Sequence, residues 1–246
     1  MPNPVRVRPV RTLADCERVT ALHVTIWGNS DLSPPASMLR TIADAGGIVL
    51  LAELAGQAVG FCYGFPGQGR RGERYHRSHA AGVLPQLRDR GVGWQLKQAQ
   101  RRAALRQGLD RMVWTFDPVQ TRNAHFNLDR LGATARGYHR DYYGSRQDAF
   151  NGGLPTDRLV VDWFLGGAAA AARRRVVALD HPAPVPVPPA LRHQVTTDPV
   201  LAQRQHRRLR HQLEAGLAQG LAIVSFDRAA GCYRFGRLPD TVPPPV

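Results

Sequence analysis

The sequence predicts an α/β (α+β) fold: a central sheet flanked by helices, with an extra helix and hairpin at the C-terminal end. Apolar runs of strand length alternate with stretches of helical period, and a glycine-rich step joins one of each. A second helix-then-hairpin pattern follows a proline-dense segment. At 246 residues the chain can bury one large core or two small ones.

Val5–Val10 alternates apolar and polar residues and reads as the first strand. Thr12 and Asp15 sit at the start of an amphipathic stretch through Trp27 that reads as a helix. Ser33-Pro34-Pro35 opens a second helix that ends near Gly46-Gly47. Ile48–Leu54 and Ala58–Phe65 are apolar strands joined by Ala55-Gly56-Gln57, a hairpin signal. Residues 66–74 read as a Gly- and Arg-rich loop, and Tyr75–Val83 as the fourth strand.

Arg88-Asp89-Arg90-Gly91-Val92-Gly93 comes next, just before a helical pattern over Trp94–Gln107 with Leu96, Ala99, Ala103 and Leu105 inward. Such a step carries little side-chain bulk, so backbone N–H groups can converge at a helix N-terminus, where the helix dipole favours negative charge. A pyrophosphate suits that position; the same six residues also suit an ordinary turn. Arg111–Phe116 is the fifth strand. Asn123–Leu131 is a short helix with Asn123 as its N-cap and Gly132 closing it. Thr134–Tyr143 and Leu159–Leu165 are further strands.

Beyond these, Gly166–Arg175 is an Ala/Arg run of helical character, and His181–Pro189 reads as an extended linker. Asp198–Gly220 is a helix, with Asp198 as cap, Pro199 in the first turn and a leucine stripe at 201, 209, 213, 217 and 221. Ala222–Phe226 and Cys232–Phe235 form a hairpin. No internal repeat is visible.

The formal charge of +14 and the pI of about 11.1 suit a polyanionic partner. Lys97 is the only lysine, however, and the arginines are dispersed rather than gathered in one patch, which weighs against nucleic acid. Attraction of an anionic cofactor explains part of the charge. Cys16, Cys62 and Cys232 share no metal-like spacing and are expected to be buried free thiols, so no metal site is expected. The start of the chain lacks a signal-peptide pattern and no apolar run has membrane-spanning length, so a cytoplasmic protein without a membrane partner is expected.

The order of elements, the Ile48–Phe65 hairpin, the stretch from Val83 through Leu84-Pro85 to Gly93, and the Asn123-to-Ala133 segment together resemble the GNAT family of N-acetyltransferases. The resemblance covers residues 5 to about 165. It implies a GNAT fold with a twisted mixed sheet, an acyl-coenzyme A-binding domain over 1–165, a linker at 166–190 and a helix–hairpin extension at 191–246. Asp117-Pro118, Tyr142-Tyr143-Gly144 and Leu154-Pro155-Thr156-Asp157-Arg158 resemble a bacterial subfamily of it.

The resemblance implies an acyltransferase in which an amine attacks acetyl-coenzyme A directly, the amine belonging to a small molecule or a peptide. In the family the cofactor lies in a splay between the fourth and fifth strands. Here Ala81–Val83 would pair with the pantetheine arm, and Arg88, Asp89, Arg90, Gly91, Val92 and Gly93 would hold the pyrophosphate. Asn123 is included because its helix start faces the cofactor arm in the family. Trp94 would pack beside the adenine or against the sheet.

Strand alternation places Arg77, His79, Ala81 and Val83 on one face, which makes His79 the candidate general base. The alternative for His79 is a core histidine bonded to a backbone carbonyl. His76 falls on the opposite face, and Glu73 is an outside candidate. The family's usual thiolate acid, a tyrosine on the short helix, lands on Leu128, and its usual Asn lands on Thr121. Tyr138, Tyr142 or Tyr143, or a water, would substitute as acid. The loop Gly67–Arg74 and the segment Trp27–Pro35 would border the acceptor, with Ser30, Asp31, Arg70 and Arg71 as selecting residues. A homodimer is expected; the C-terminal helix either packs on the core or is exchanged across the dimer through the linker. The absent tyrosine keeps a second reading open, a non-catalytic acyl-coenzyme A-binding or sensing protein.

Overall fold

The computed structural model describes residues 4–28, 33–144 and 153–245. Ser30 and Asp31 therefore lie outside the described residues. The chain divides into two compact units, Met1–Met112 and Val113–Val246.

In the first unit the sheet runs β1 (Arg6–Pro9), β2 (Ile48–Leu54), β3 (Gln57–Gln68) and β4 (Arg74–Val83), each antiparallel to the next. Helices α1 (Leu13–Trp27), α2 (Ala36–Asp44) and α3 (Val92–Arg106) complete it. Thr12 caps α1 by accepting the Asp15 N–H at 3.1 Å, and Gly28 ends it at φ 69°. The β2–β3 turn needs only Ala55 and Gly56, at φ 49° and 79°, the positive pair of a two-residue hairpin that suits strand twist. A core of Val19, Leu22, Leu39, Leu51 and Phe61 fills the space between α1, α2 and the sheet. Arg8 binds both Asp15 (2.6 Å) and Glu53 (2.9 Å), joining β1, α1 and β2.

Two expectations shift here. The expected loop at 66–74 is shorter, because Pro66–Gln68 pair with Arg74–His76 and only residues 69–73 turn. Helix α3 begins at Val92, two residues before Trp94, and its buried face carries Lys97 and Gln100 beside Leu96 and Ala104, whereas Leu105 is exposed.

In the second unit the sheet order is β5 (Arg111–Phe116), β7 (Arg158–Phe164), β6 (Thr134–His139), β9 (Ala222–Asp227), β10 (Cys232–Gly236), β8 (Val185–Pro186). Its helices are α4 (Thr121–His125), α5 (Gly167–Arg174), α6 (Leu191–Thr197) and α7 (Pro199–Ala218). The C-terminal hairpin extends the sheet, since β9 pairs with β6 through Ala135 and Ile223. Arg173 on α5 donates to the carbonyls of Ala133 and Val224, fastening the hairpin to the start of β6. The proline-dense segment is extended, but Val185 and Val187 are buried and β8 pairs with β10. Asp198 caps α7 by accepting the Leu201 N–H at 3.0 Å, with Pro199 in the first turn. All three cysteines are buried and free.

Helix α7 meets the β6–β7 connection at a buried carboxylate. Asp157, 1% exposed, accepts from Arg210 Nε (2.7 Å) and Nη2 (2.8 Å), from the Tyr138 hydroxyl (2.6 Å) and from the Asp141 N–H (3.0 Å). Burial alone would raise its pKa; the Arg210 and Tyr138 hydrogen bonds outweigh that and lower it. A carboxylate held below its unfolded value of 3.8 stabilises the fold above that pH and loses the contribution as pH falls through the folded value. Asp157→Asn is expected to cost about 2 kcal/mol, read as a lower urea midpoint at pH 7. The gap between variant and wild type should close on acidification below 3.8.

Candidate functional site

At the end of β4 the chain makes a short 3₁₀ turn, Pro85–Leu87, before reaching α3. Asp89 and Gly91 both adopt positive φ, 61° and 81°. Asp tolerates this region and Gly occupies it freely, so the sequence itself suits the turn. The first bond of the α3 ladder runs from the Gln95 N–H to the Gly91 carbonyl at 3.0 Å. The N–H groups of Val92, Gly93 and Trp94 therefore precede the ladder at the positive end of a 15-residue helix. A Cβ built at Gly91 would meet no protein atom within 4 Å, so the space beside the turn is open. The Arg88 N–H is engaged by the Pro85 carbonyl at 3.3 Å, and its Nε leans back on the Val83 carbonyl at 3.4 Å. Arg88 thus offers the rest of its guanidinium, not its backbone, to an anion. Arg90 is exposed.

β4 contains an irregularity that strand alternation did not anticipate. Tyr63 pairs with Ala80 and the next residue, Gly64, pairs with Ser78, which leaves His79 as an extra residue in a bulge. The bulge reverses the face parity. Before it, His76 and Ser78 face α3 with Gly64; after it, Ala81 and Val83 face α3, opposite Cys62 and Gly60. His79 points to the other side and packs its ring on Tyr63 (5.4 Å) and Phe65 (6.1 Å). The expected shared face of His79 with Ala81 and Val83 is therefore corrected. Arg77 and His79 remain on the α1 side, followed by Ala80 and Gly82, whose added Cβ would meet Ile26, Trp27 and Phe61.

His79 is exposed at its rim. Burial of the ring against its aromatic neighbours, then the charge of Arg77, lower its pKa below 6.5. The imidazole is accordingly neutral at pH 7, the form a base requires. Burial beside Trp27 and Phe61 lowers His23 to about 4.

The α3 side of the bulge holds a polar cluster. Lys97 Nζ donates to Ser78 Oγ (2.8 Å) and Gln100 Oε1 (3.2 Å), and Ser78 Oγ donates to Gln100 Oε1 (3.0 Å). Gln100 Nε2 donates to His76 Nε2 at 3.1 Å, so that nitrogen is the unprotonated one and the ring proton sits on Nδ1. Burial lowers Lys97 to about 8 and His76 to about 3. These residues fasten the bulge to α3. The missed signal was the chain's single lysine on a helix otherwise rich in arginine.

Asn123, Tyr138 and Tyr142 belong to the second unit. Asn123 is not an N-cap. Asp117 closes a turn by accepting the Val119 N–H at 2.8 Å, the Ala124 N–H bonds the Gln120 carbonyl, and α4 runs from Thr121 with Asn123 exposed in its middle. A π turn over Phe126–Arg130 completes that segment, with Leu128 1% exposed. The Tyr138 hydroxyl is committed to Asp157; burial and that carboxylate raise its pKa far above the usual phenol value. Tyr142 is 42% exposed and stacks on His139 at 5.1 Å, with Tyr143 edge-on at 4.7 Å. Among the described residues no group of His, Cys, Asp and Glu could hold a metal ion, and no helix is long and apolar enough to cross a membrane.

The acetyltransferase (GNAT) family model matches residues 16–132. A putative acetyltransferase of Salmonella typhimurium, yncA, solved with its cofactor acetyl-CoA, is 21% identical, with 68% of this chain and 98% of that one covered and a TM-score of 0.54. An acetyltransferase of the GNAT family from Streptococcus pneumoniae is 16% identical, covering 65% and 99%, TM-score 0.53. The ribosomal-protein-S18-alanine N-acetyltransferase of Escherichia coli is 10% identical, covering 67% and 96%, TM-score 0.52. No curated protein matches the sequence. At these identities the solved structures establish a shared fold, and the family match covers both the turn and the bulged strand. Residues 16–132 thus match the acetyltransferase (GNAT) family, and the fold is that of solved GNAT acetyltransferases.

Proposed function

We propose that the protein transfers an acetyl group from acetyl-coenzyme A to an amine by direct attack. The turn at the start of α3 carries the reading: an open space beside Gly91, leading N–H groups and flanking arginines suit a pyrophosphate. The backbone of Ala81–Val83 would hold the pantetheine arm. The likeness to a structure solved with acetyl-CoA supports the same choice.

In the proposed reaction the amine nitrogen bonds to the thioester carbonyl carbon as the C–S bond breaks and the sulfur leaves with the electron pair. His79 takes the proton released from nitrogen. A tyrosine supplies the proton to sulfur, and we assign Tyr142 to this role over Tyr138, because a phenol bound to a buried carboxylate and raised far up is a poor acid. Asn123, exposed on α4, is retained as a cofactor contact. Arg70 and Arg71, exposed on the β3–β4 turn, would favour an acceptor bearing negative charge near its amine.

The test is release of free thiol from acetyl-coenzyme A across a panel of small-molecule and peptide amines. The reading expects at least one amine to raise release at least about tenfold above its amine-free rate, a barrier change of about 1.4 kcal/mol. Tight binding with no amine-dependent release would favour the sensing protein instead. The buried Leu128, where the family's tyrosine would stand, is the observation behind that second reading.

A further inference from the structure

Trp94 directly follows Gly93 of the proposed turn and lies in the first turn of α3, 44% exposed. By contrast Trp114 and Trp163 are each 6% exposed. Much of the Trp94 indole therefore stays accessible to a ligand. Between Arg88 and Leu109 the sequence has Asp89 as its one acid, against Arg88, Arg90, Lys97, Arg101, Arg102 and Arg106. On the helix, Gln98 and Arg101 follow Trp94 at i+4 and i+7 and share its side.

We propose that Trp94 is a stacking platform for the purine of the nucleotide end of the acyl carrier, with Gln98 and Arg101 beside it for the polar edge and the ribose phosphate. This rests on the reading of the turn as a pyrophosphate cradle. Coenzyme A carries its pantetheine on one side of the pyrophosphate and an adenosine 3′-phosphate on the other. If the pantetheine arm runs back along Ala81–Val83, the adenosine leaves the turn on the other side, over the outer surface of the first turn of α3. An indole there offers a broad apolar face at little conformational cost, and the surrounding arginines complement a nucleotide with several phosphates. Stacking of a base on an aromatic side chain is independent of the acceptor, so the assignment holds whichever amine is used.

Two probes test it: coenzyme A by calorimetry, and etheno-coenzyme A, whose fluorescent adenine is quenched when it stacks on an indole. W94A is expected to weaken coenzyme A about tenfold, and W94F to stay within about threefold because its ring still stacks. Etheno-adenine emission at saturation should be quenched on the wild type and recover on W94A, a change that a merely structural residue would not produce. Because the side chain is exposed, unchanged thermal midpoints for both variants should accompany these results. W94A matching the wild type in affinity and in etheno-adenine emission would overturn the platform and leave the turn reading standing. A wild type that does not bind coenzyme A at all would overturn both.

Discussion

Gly64→Val is expected to destabilise the protein by about 4 kcal/mol or more. Gly64 faces the bulge in β4. A Cβ there would lie 2.6 Å from His76 Nε2 and 2.9 Å from the Ser78 Cα, and would also overlap the Arg77 carbonyl. Two of these neighbours are backbone, so no rotamer change relieves the overlap. The strand pair must separate or the bulge must vanish, and the second outcome would reverse the faces of every residue before it. Loss of the His76–Gln100 hydrogen bond follows in either case. Urea denaturation of Gly64→Val and of the milder Gly64→Ala, at pH 7, reads the effect. Midpoints for both within experimental error of the wild type would show that β3 and β4 do not pair in this register.

His79→Ala is expected to lower turnover by about 10²–10⁴-fold, with acetyl-coenzyme A affinity kept within about twofold. The separation follows from geometry: His79 packs on Tyr63 and Phe65 on the α1 side, whereas Ala81 and Val83, the proposed pantetheine contacts, face α3. The pH dependence carries a sign. A base lowered below 6.5 by burial and by Arg77 remains neutral at pH 7, so the rate should be flat there and fall as pH drops through the lowered value. Removing the charge in Arg77→Gln should move the acidic limb upward, toward 6.5. A variant at His79 that keeps the wild-type rate and the same acidic limb would exclude the base assignment.

Much of the architecture could be read from residues with local physical meaning. Ala55-Gly56 made the hairpin, Thr12 and Asp198 marked helix starts by accepting backbone N–H groups, and Gly91 marked a turn that requires positive φ. The site was harder because its geometry depends on pairing between distant residues. Strand alternation assumes an unbroken ladder, and the extra residue at His79 shows only once Tyr63 and Gly64 are matched to their partners. Gly64 itself was the available sign, since glycine inside a strand often accompanies a bulge or a close backbone approach. The burial of Lys97 and Gln100 was not legible because polar side chains on an amphipathic helix are ordinarily assigned to solvent; Ser78 and His76 meet them from β4. Asn123 misled because its residue type suits an N-cap, while the turn held by Asp117 starts the helix two residues earlier.

Calorimetric titration of acetyl-coenzyme A into the wild type and into Gly91→Val tests the central claim most directly. The wild type is expected to bind in one-to-one stoichiometry. Gly91 sits at φ 81°, a region a β-branched residue adopts only under strain, and its open side is where the pyrophosphate is placed. Gly91→Val should therefore lose about a hundredfold or more in affinity, equivalent to about 2.7 kcal/mol, and a lowered thermal midpoint from the strain at positive φ should accompany the loss. Equal affinity for the two proteins, or no binding to the wild type, would contradict the assignment of this turn as the coenzyme A cradle.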